Sequence, residues 1–153
     1  MLTEKSVSKG KFYFKRNDRI RLDYSQPTKN LIIMSAGKML IQDGKKSQQM
    51  DMHRSKAFQQ LNAIIVGSID GTIFNGKDFL CQFYETHTVV KVELKPLSKM
   101  LKNFLSTIVL VLDKKDYTAS RIEMNETSGD NTILTFTNKT LNTPLADTLF
   151  AIK

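Results

Sequence analysis

Few side chains in this sequence could do chemistry. It has two histidines, His53 and His87, one cysteine, Cys81, and carboxylates among which Asp70, Asp78, Asp113 and Asp116 invite a closer look. A zinc-type site needs three or four nitrogen, sulfur or oxygen ligands at recognisable spacing. Neither histidine has such neighbours. His53 reads as a strand-end surface residue, and His87 as part of the turn Glu85-Thr86-His87-Thr88. The four aspartates fall in turns, where a carboxylate bonds to its own backbone. Gly67-Ser68-Ile69-Asp70-Gly71 does not fit the nucleophile elbow, which sets a serine between two variable residues. No glycine-rich phosphate loop is present. Cys81 has no second cysteine to pair with, and within Phe79-Leu80-Cys81-Gln82-Phe83 it reads as a small buried hydrophobe. The sequence therefore predicts no enzyme, no metal and no cofactor.

Charge narrows the field further. The formal charge is +8, with 41% hydrophobic and 25% charged residues. That composition suits a folded globular chain and excludes a disordered one. The basic residues are scattered: Lys9, Lys11, Lys15 and Arg16, then Lys45 and Lys46, then Lys99 and Lys102. They read first as a solvated surface, next as a surface for an acidic partner or anionic lipid, and least as a nucleic-acid site. Phe12-Tyr13-Phe14-Lys15-Arg16 interleaves aromatic and basic residues as a single-strand binder does. Strand alternation explains it better, with Phe12 and Phe14 on the dry face and Tyr13 and Lys15 on the wet one. No apolar run approaches the ~18 residues of a membrane-spanning helix. Met1-Leu2-Thr3-Glu4-Lys5 turns polar at once and is no signal peptide. The expectation is one domain over residues 1–153, either cytoplasmic as written or a piece of a longer precursor.

The elements that would position any site are mostly strands. Ile20, Leu22 and Tyr24 alternate with Arg19, Arg21 and Asp23, and Val90, Val92 and Leu94 with Lys91, Glu93 and Lys95. This period of two marks strands with one dry face. Turn signals such as Ala36-Gly37-Lys38, Asp43-Gly44, Asn75-Gly76 and Ser128-Gly129-Asp130-Asn131 separate them. Strands are predicted at 11–16, 19–25, 30–35, 38–43, 47–53, 79–86, 88–95, 105–113, 117–127, 131–139 and 147–152. Phe58, Leu61, Ile65 and Ile69 follow helical spacing, and Ser55 is a candidate cap. Leu97, Met100, Leu101, Phe104 and Leu105 predict at least one more helical turn, with Pro96 at its entry. Connections this short exclude a helix-covered parallel sheet. The predicted class is mainly β: one curved, unclosed antiparallel sheet, too wide to stay flat, with the central helix inside its curl or across its mouth.

Arg16 breaks the pattern. Alternation puts it on the apolar face with Phe12 and Phe14. A buried guanidinium is costly unless its donors are paired. Either it escapes to water at the strand end, or it holds a lid by hydrogen bonds to backbone carbonyls.

Gly10-Lys11-Phe12-Tyr13-Phe14-Lys15-Arg16, followed by Arg19-Ile20-Arg21-Leu22-Asp23-Tyr24-Ser25-Gln26-Pro27, resembles the strand–turn–strand of the outer-membrane lipoprotein carrier (LolA) family. Leu31-Ile32-Ile33-Met34-Ser35-Ala36-Gly37-Lys38-Met39-Leu40-Ile41-Gln42-Asp43 resembles the hairpin that follows there. Ile108 to Asp113, Ile122-Glu123-Met124, Ser128-Gly129-Asp130-Asn131-Thr132, Phe136-Thr137-Asn138, Leu141-Asn142 and Phe150 come in family order. The resemblance covers about Ser8 to Ile152 and rests on the ordered set rather than on one motif. It implies a half-barrel antiparallel sheet with lid helices, located in the periplasm. It also implies a carrier that takes acylated lipoproteins from an inner-membrane ABC transporter to an outer-membrane acceptor. The family's arginine at the end of the aromatic strand falls on Arg16, where it implies a bond to the lid. Asn17 stands where the family usually has proline, and Met39 where it often has tryptophan. The family's signal peptide, first helix and first strand have no counterpart before Ser8, which would remove part of the lid, including the expected partner of Arg16.

Phe12, Phe14, Ile20, Leu22, Met34, Leu40, Met50, Met52, Ile64, Ile65, Phe83, Val90 and Val92 are the candidate cavity lining, and each is open to the plainer reading of ordinary core. Methionine suits a wall that must adapt. A relative on the same scaffold that binds or senses another envelope lipid or protein is the alternative to a carrier. If the 11–16 strand forms an exposed edge, it would invite pairing with a second copy.

Overall fold

A computed structural model describes residues 5–16, 19–54 and 56–152, apart from the side chains of 56–58, 60 and 61. The proposed cap Ser55 and the departure at Asn17 lie outside the described residues, as do the side chains of Phe58 and Leu61. The chain is mainly β. Its contacts divide it into two compact units, Met1–Gln59 with Asn142–Lys153, and Gln60–Leu141.

The first unit holds five antiparallel strands in chain order: β1 (Lys9–Lys15), β2 (Arg19–Gln26), β3 (Asn30–Ser35), β4 (Lys38–Asp43) and β5 (Lys46–Asp51). Short turns fix the register. Ala36 and Gly37, both at positive φ (52° and 76°), join Ser35 to Lys38. Two such residues make the turn whose twist matches the flanking strands. At the other end Gly10 sits where pairing shifts, and a Cβ there would lie 2.1 Å from the carbonyl oxygen of Asp23. Only glycine lets the two backbones come that close. β1 is an edge strand among the described residues. It carries Lys9, Lys11 and Lys15, residues of the kind that discourage edge-to-edge pairing.

β3 and β4 are apolar on both faces, and register sorts them. Phe14, Ile20, Met34, Met39 and Met50 are successive cross-strand partners, as are Phe12, Leu22, Ile32 and Ile41. These two rows share one face. Ile33 and Leu40 lie on the other, packed with Phe150 and flanked by Tyr13, Leu31, Leu145, Leu149 and Ile152. The strand expected at 147–152 does not form. Asp147–Phe150 is a short 3-10 turn whose flanking carbonyls bond to side chains instead of a ladder. Lys15 Nζ donates to Leu145 O at 2.8 Å, and Arg21 Nη1 to Leu149 O at 2.9 Å. Asp147 accepts from Lys15 at 2.6 Å and from Arg19 at 2.8 Å. Those two cations hold its carboxyl below the usual range, the hydrogen bond from Lys15 first.

The second unit holds β6 (Phe79–Glu85), β7 (Val89–Pro96), β8 (Leu105–Asp113), β9 (Ala119–Glu126) and β10 (Asn131–Thr135), also antiparallel and adjacent in chain order. Pairing ends at β5 and restarts at β6, so the single wide sheet expected from sequence is two five-stranded sheets. Neither closes into a barrel. The break falls at the predicted helix, which is α1 (Lys56–Asp70), followed by a 3-10 turn at Thr72–Asn75. The second predicted helical turn is α2 (Lys99–Lys102), capped where Ser98 Oγ accepts the Leu101 N–H at 3.2 Å. Among the described residues no helix is long and apolar enough to cross a membrane.

Candidate functional site

The second sheet presents one dry face. Cross-strand pairing runs Phe83–Val92–Leu110–Ile122–Leu134 without interruption across all five strands. Beside it runs Cys81–Leu94–Ile108–Met124, and on the other side Val90–Leu112–Ala119. Period-two alternation in five consecutive strands, held in register by short turns, is enough to assemble this surface. Its centre is covered. Ile64 from α1, Ile73 from the following turn and Leu101 from α2 pack on it, and Val92, Leu94, Ile108, Leu110 and Ile122 are fully buried. Ser68, also buried on α1, satisfies its hydroxyl by donating to Ile64 O at 2.6 Å.

The margin is not covered. Phe83, at the β6 end of the row, is 59% exposed. Its ring stands 6.1 Å from that of Phe74, tilted by 52°. Phe74, Cys81, Val90, Leu112, Leu134 and Phe136 are only partly buried around the core. This is a packed apolar wall with an open apolar rim.

The rim carries one thiol, that of Cys81, among its apolar residues. The thiol of Cys81 is pushed up by burial, so it stays protonated at neutral pH. Glu85, at the end of β6, is ion-paired with Lys114, and the hydrogen bond from that lysine draws its carboxyl below the ordinary value. Asp116 is lowered chiefly by hydrogen bonds from Thr118 within its own turn. His53 and His87 are both exposed. Among the described residues no group of three potential ligands could hold a metal ion. The surface can exclude water and accept apolar matter.

The expected lining residues separate into three groups. Ile64, Phe83, Val90 and Val92 belong to the wall just described, and Ile65 is buried on α1. Phe12, Phe14, Ile20, Leu22, Met34 and Met50 share one face of the first sheet, and Met52 is buried in the 3-10 turn that follows it. Leu40 is displaced: register turns it to the opposite face, under Phe150, and Met39 takes the position expected for it. Met39-Leu40-Ile41 is apolar at every position, so alternation within β4 could not choose a face; pairing with β3 does. Arg16 is not buried beside Phe12 and Phe14. The ladder stops at Lys15–Arg19, and Arg16 is exposed in the turn, its carbonyl accepting a bond from Arg19 Nε at 3.1 Å.

Sequence reasoning missed Phe74, Leu134 and Phe136 at the rim, and the strap made by Lys15, Arg19, Arg21 and Asp147. The phenylalanines sit in or beside turns, where no period marks them. The strap joins residues about 130 positions apart in sequence, as with Lys15 and Leu145, beyond the reach of any local pattern.

The family model for the outer membrane lipoprotein carrier protein LolA matches residues 1–153. A solved structure, that of a LolA superfamily protein from Nitrosomonas europaea, is 14% identical with a TM-score of 0.37. The match covers 84% of this chain and spans 60% of that one. No curated protein matches the chain. With the family model matched from end to end, the chain belongs to the LolA family of outer membrane lipoprotein carriers.

Proposed function

We propose that this protein is a periplasmic carrier that shelters lipoprotein acyl chains against apolar sheet faces and passes lipoproteins from the inner to the outer membrane. The observation that carries this reading is the apolar row from Phe83 to Leu134, fully dry at its centre and open at its rim. Acyl chains offer no directional chemistry, so a binding wall needs apolar area and nothing that reacts. Burial is worth roughly 25 cal/mol per Å², and a lipid-sized ligand could gain more than a transfer protein tolerates. Uncovering the wall costs part of that gain, which keeps release within reach. The family match over both units supports one carrier domain. An inner-membrane ABC transporter as donor and an outer-membrane acceptor follow from the same family reading.

Arg16 is the proposed gating residue. It is exposed at the end of the aromatic strand, and the family resemblance is what supports a gating role there. Native mass spectrometry of protein purified without delipidation tests the carrier: bound lipid or detergent is expected. Only apo protein, together with no fluorescence rise from an added apolar dye, would refute it. Arg16→Leu should alter the rate of transfer to acceptor vesicles while leaving the unfolding midpoint in place. An unaltered rate removes the gate.

A further inference from the structure

A groove lies at one end of the second sheet, where side chains of the face turned away from the apolar row meet Pro96 and Leu105 of the inner one. Leu80 and Lys95 are cross-strand partners on that outer face. With Pro96, Leu97, Lys102 and Leu105 they line an open groove of about 440 Å³. Its floor is apolar and uncovered: Leu80 is 61% exposed and Leu97 46%. Its walls are fixed by backbone geometry. Leu97 N–H donates to Asp78 O at 2.9 Å, Thr127 N–H to Phe104 O at 3.0 Å, and the Thr127 hydroxyl to Asn103 O at 3.0 Å. A groove held this way is ready before anything enters it.

Its charge is one-sided. Lys95 and Lys102 both line it, Lys99 stands on the same short helix as Lys102, and none of the three is ion-paired among the described residues. Asp78 and Glu126 flank this corner in sequence and pair with none of them; Glu126 instead accepts from Ser128 at 3.3 Å. Two unpaired cations beside an apolar hollow complement an apolar side chain flanked by carboxylates. Extent decides between that and a lipid surface. A membrane-seating patch spreads many apolar side chains, whereas this groove exposes two, Leu80 and Leu97, beside its lysines. It holds a side chain or two.

We propose that this groove is a docking site for a protein partner, taking an acidic segment that inserts one large apolar side chain. Leu105 is shared with the buried core, but none of the groove's exposed side chains belongs to the rim at Phe83, so docking here is compatible with cargo there.

A fluorescein-labelled Asp-Glu-Leu-Glu-Asp peptide, titrated by anisotropy into the full chain, tests this. Saturable binding is expected. It should weaken at least about tenfold in three cases: serine replacing the leucine, the Lys95→Glu/Lys102→Glu double variant, or 0.5 M salt. A lysine-flanked peptide should not bind, and uptake of an apolar dye should not change in the double variant. No saturable binding, or binding indifferent to Lys95 and Lys102, overturns the proposal. So does lysine-dependent binding of phosphatidylglycerol vesicles without any of the peptide, because the face is then a membrane contact. Loss of dye uptake in the double variant also counts against it, since the two faces would not be independent.

Discussion

Phe83 and Tyr84 are adjacent in β6 and point to opposite faces of the same sheet, which makes them a matched pair. Phe83 ends the apolar row and is 59% exposed; Tyr84 is on the outer face and 44% exposed. A phenylalanine side chain buries about 150–250 Å² when fully covered. At 59% exposure, roughly 120 Å² of the Phe83 ring remains open, and an acyl chain lying along it covers about half. Those ~60 Å², at about 25 cal/mol per Å², come to ~1.5 kcal/mol, or roughly tenfold in affinity. Phe83→Ser should therefore weaken binding of a fluorescent fatty acid about tenfold. Its cost in stability combines the lost contact with Phe74, about 0.5–1.5 kcal/mol, with the roughly 80 Å² of ring already covered, about 2 kcal/mol, or about 2.5–3.5 kcal/mol together. Tyr84→Ser removes a comparable exposed ring from the other face and should leave fatty-acid affinity alone. Fluorescence titration gives both affinities, and urea unfolding of the same samples gives both stabilities. Equal weakening by the two variants would show that the ligand does not choose the face. No weakening by Phe83→Ser would show that it does not use this rim.

Three further outcomes follow from the packing and charges. Gly10→Ala should lower stability by about 1–3 kcal/mol in urea unfolding, because the new Cβ meets the Asp23 carbonyl. Phe150→Ala should cost about 3–5 kcal/mol, since the ring is only 2% exposed and lies on Ile33 and Leu40. Limited proteolysis should then cut the C-terminal segment first, and an unchanged digestion pattern would mean the strap holds by charge alone. Asp147 has a folded pKa below its unfolded one, so its contribution is present above the ordinary carboxylate range and is lost as pH falls through the lowered value. Asp147→Asn should accordingly lower stability at pH 7 and flatten the acid limb below about pH 4. A parallel shift at all pH values would refute the linkage.

Hairpins were the most legible part of the fold. β3 and β4 coincide with their expected spans, because Ala36-Gly37 fixes the turn between two short apolar runs. α1 was legible from the spacing of Phe58, Leu61, Ile65 and Ile69. What failed needed tertiary information. Leu149 and Phe150 read as part of a last strand, but Lys15 and Arg21 reach the Leu145 and Leu149 carbonyls, and Lys15 and Arg19 the Asp147 carboxylate, from far along the chain, and a 3-10 turn satisfies that geometry better than a ladder. Arg16 read as a buried anomaly only if β1 ran one residue further than it does. The apolar wall followed from alternation at Val90 and Val92, whereas its rim did not, since Phe74 comes from a 3-10 turn that obeys neither period.

The first sheet shows why apolar sequence alone cannot locate a lipid surface. Its two strands β3 and β4 are apolar on both faces, and either face could be named as a wall from their composition. The chain itself occupies one: Leu145, Leu149, Phe150 and Ile152 cover Ile33 and Leu40, locked in place by three basic side chains and Asp147. That leaves Phe12, Phe14, Leu22, Ile32 and Ile41 half-buried on the other, around the fully buried Ile20, Met34 and Met39. The second sheet has the same grading, dry in the middle and half-wet at the edge. A face finished by its own chain gains nothing from a ligand, because its area has already left water. A half-buried face retains area to lose, and its buried centre holds it in shape while empty. Where a wall stops being covered is therefore a better guide to cargo than how apolar it is, and on that criterion the rim at Phe83, not the Leu40 cluster, is where acyl chains should bind.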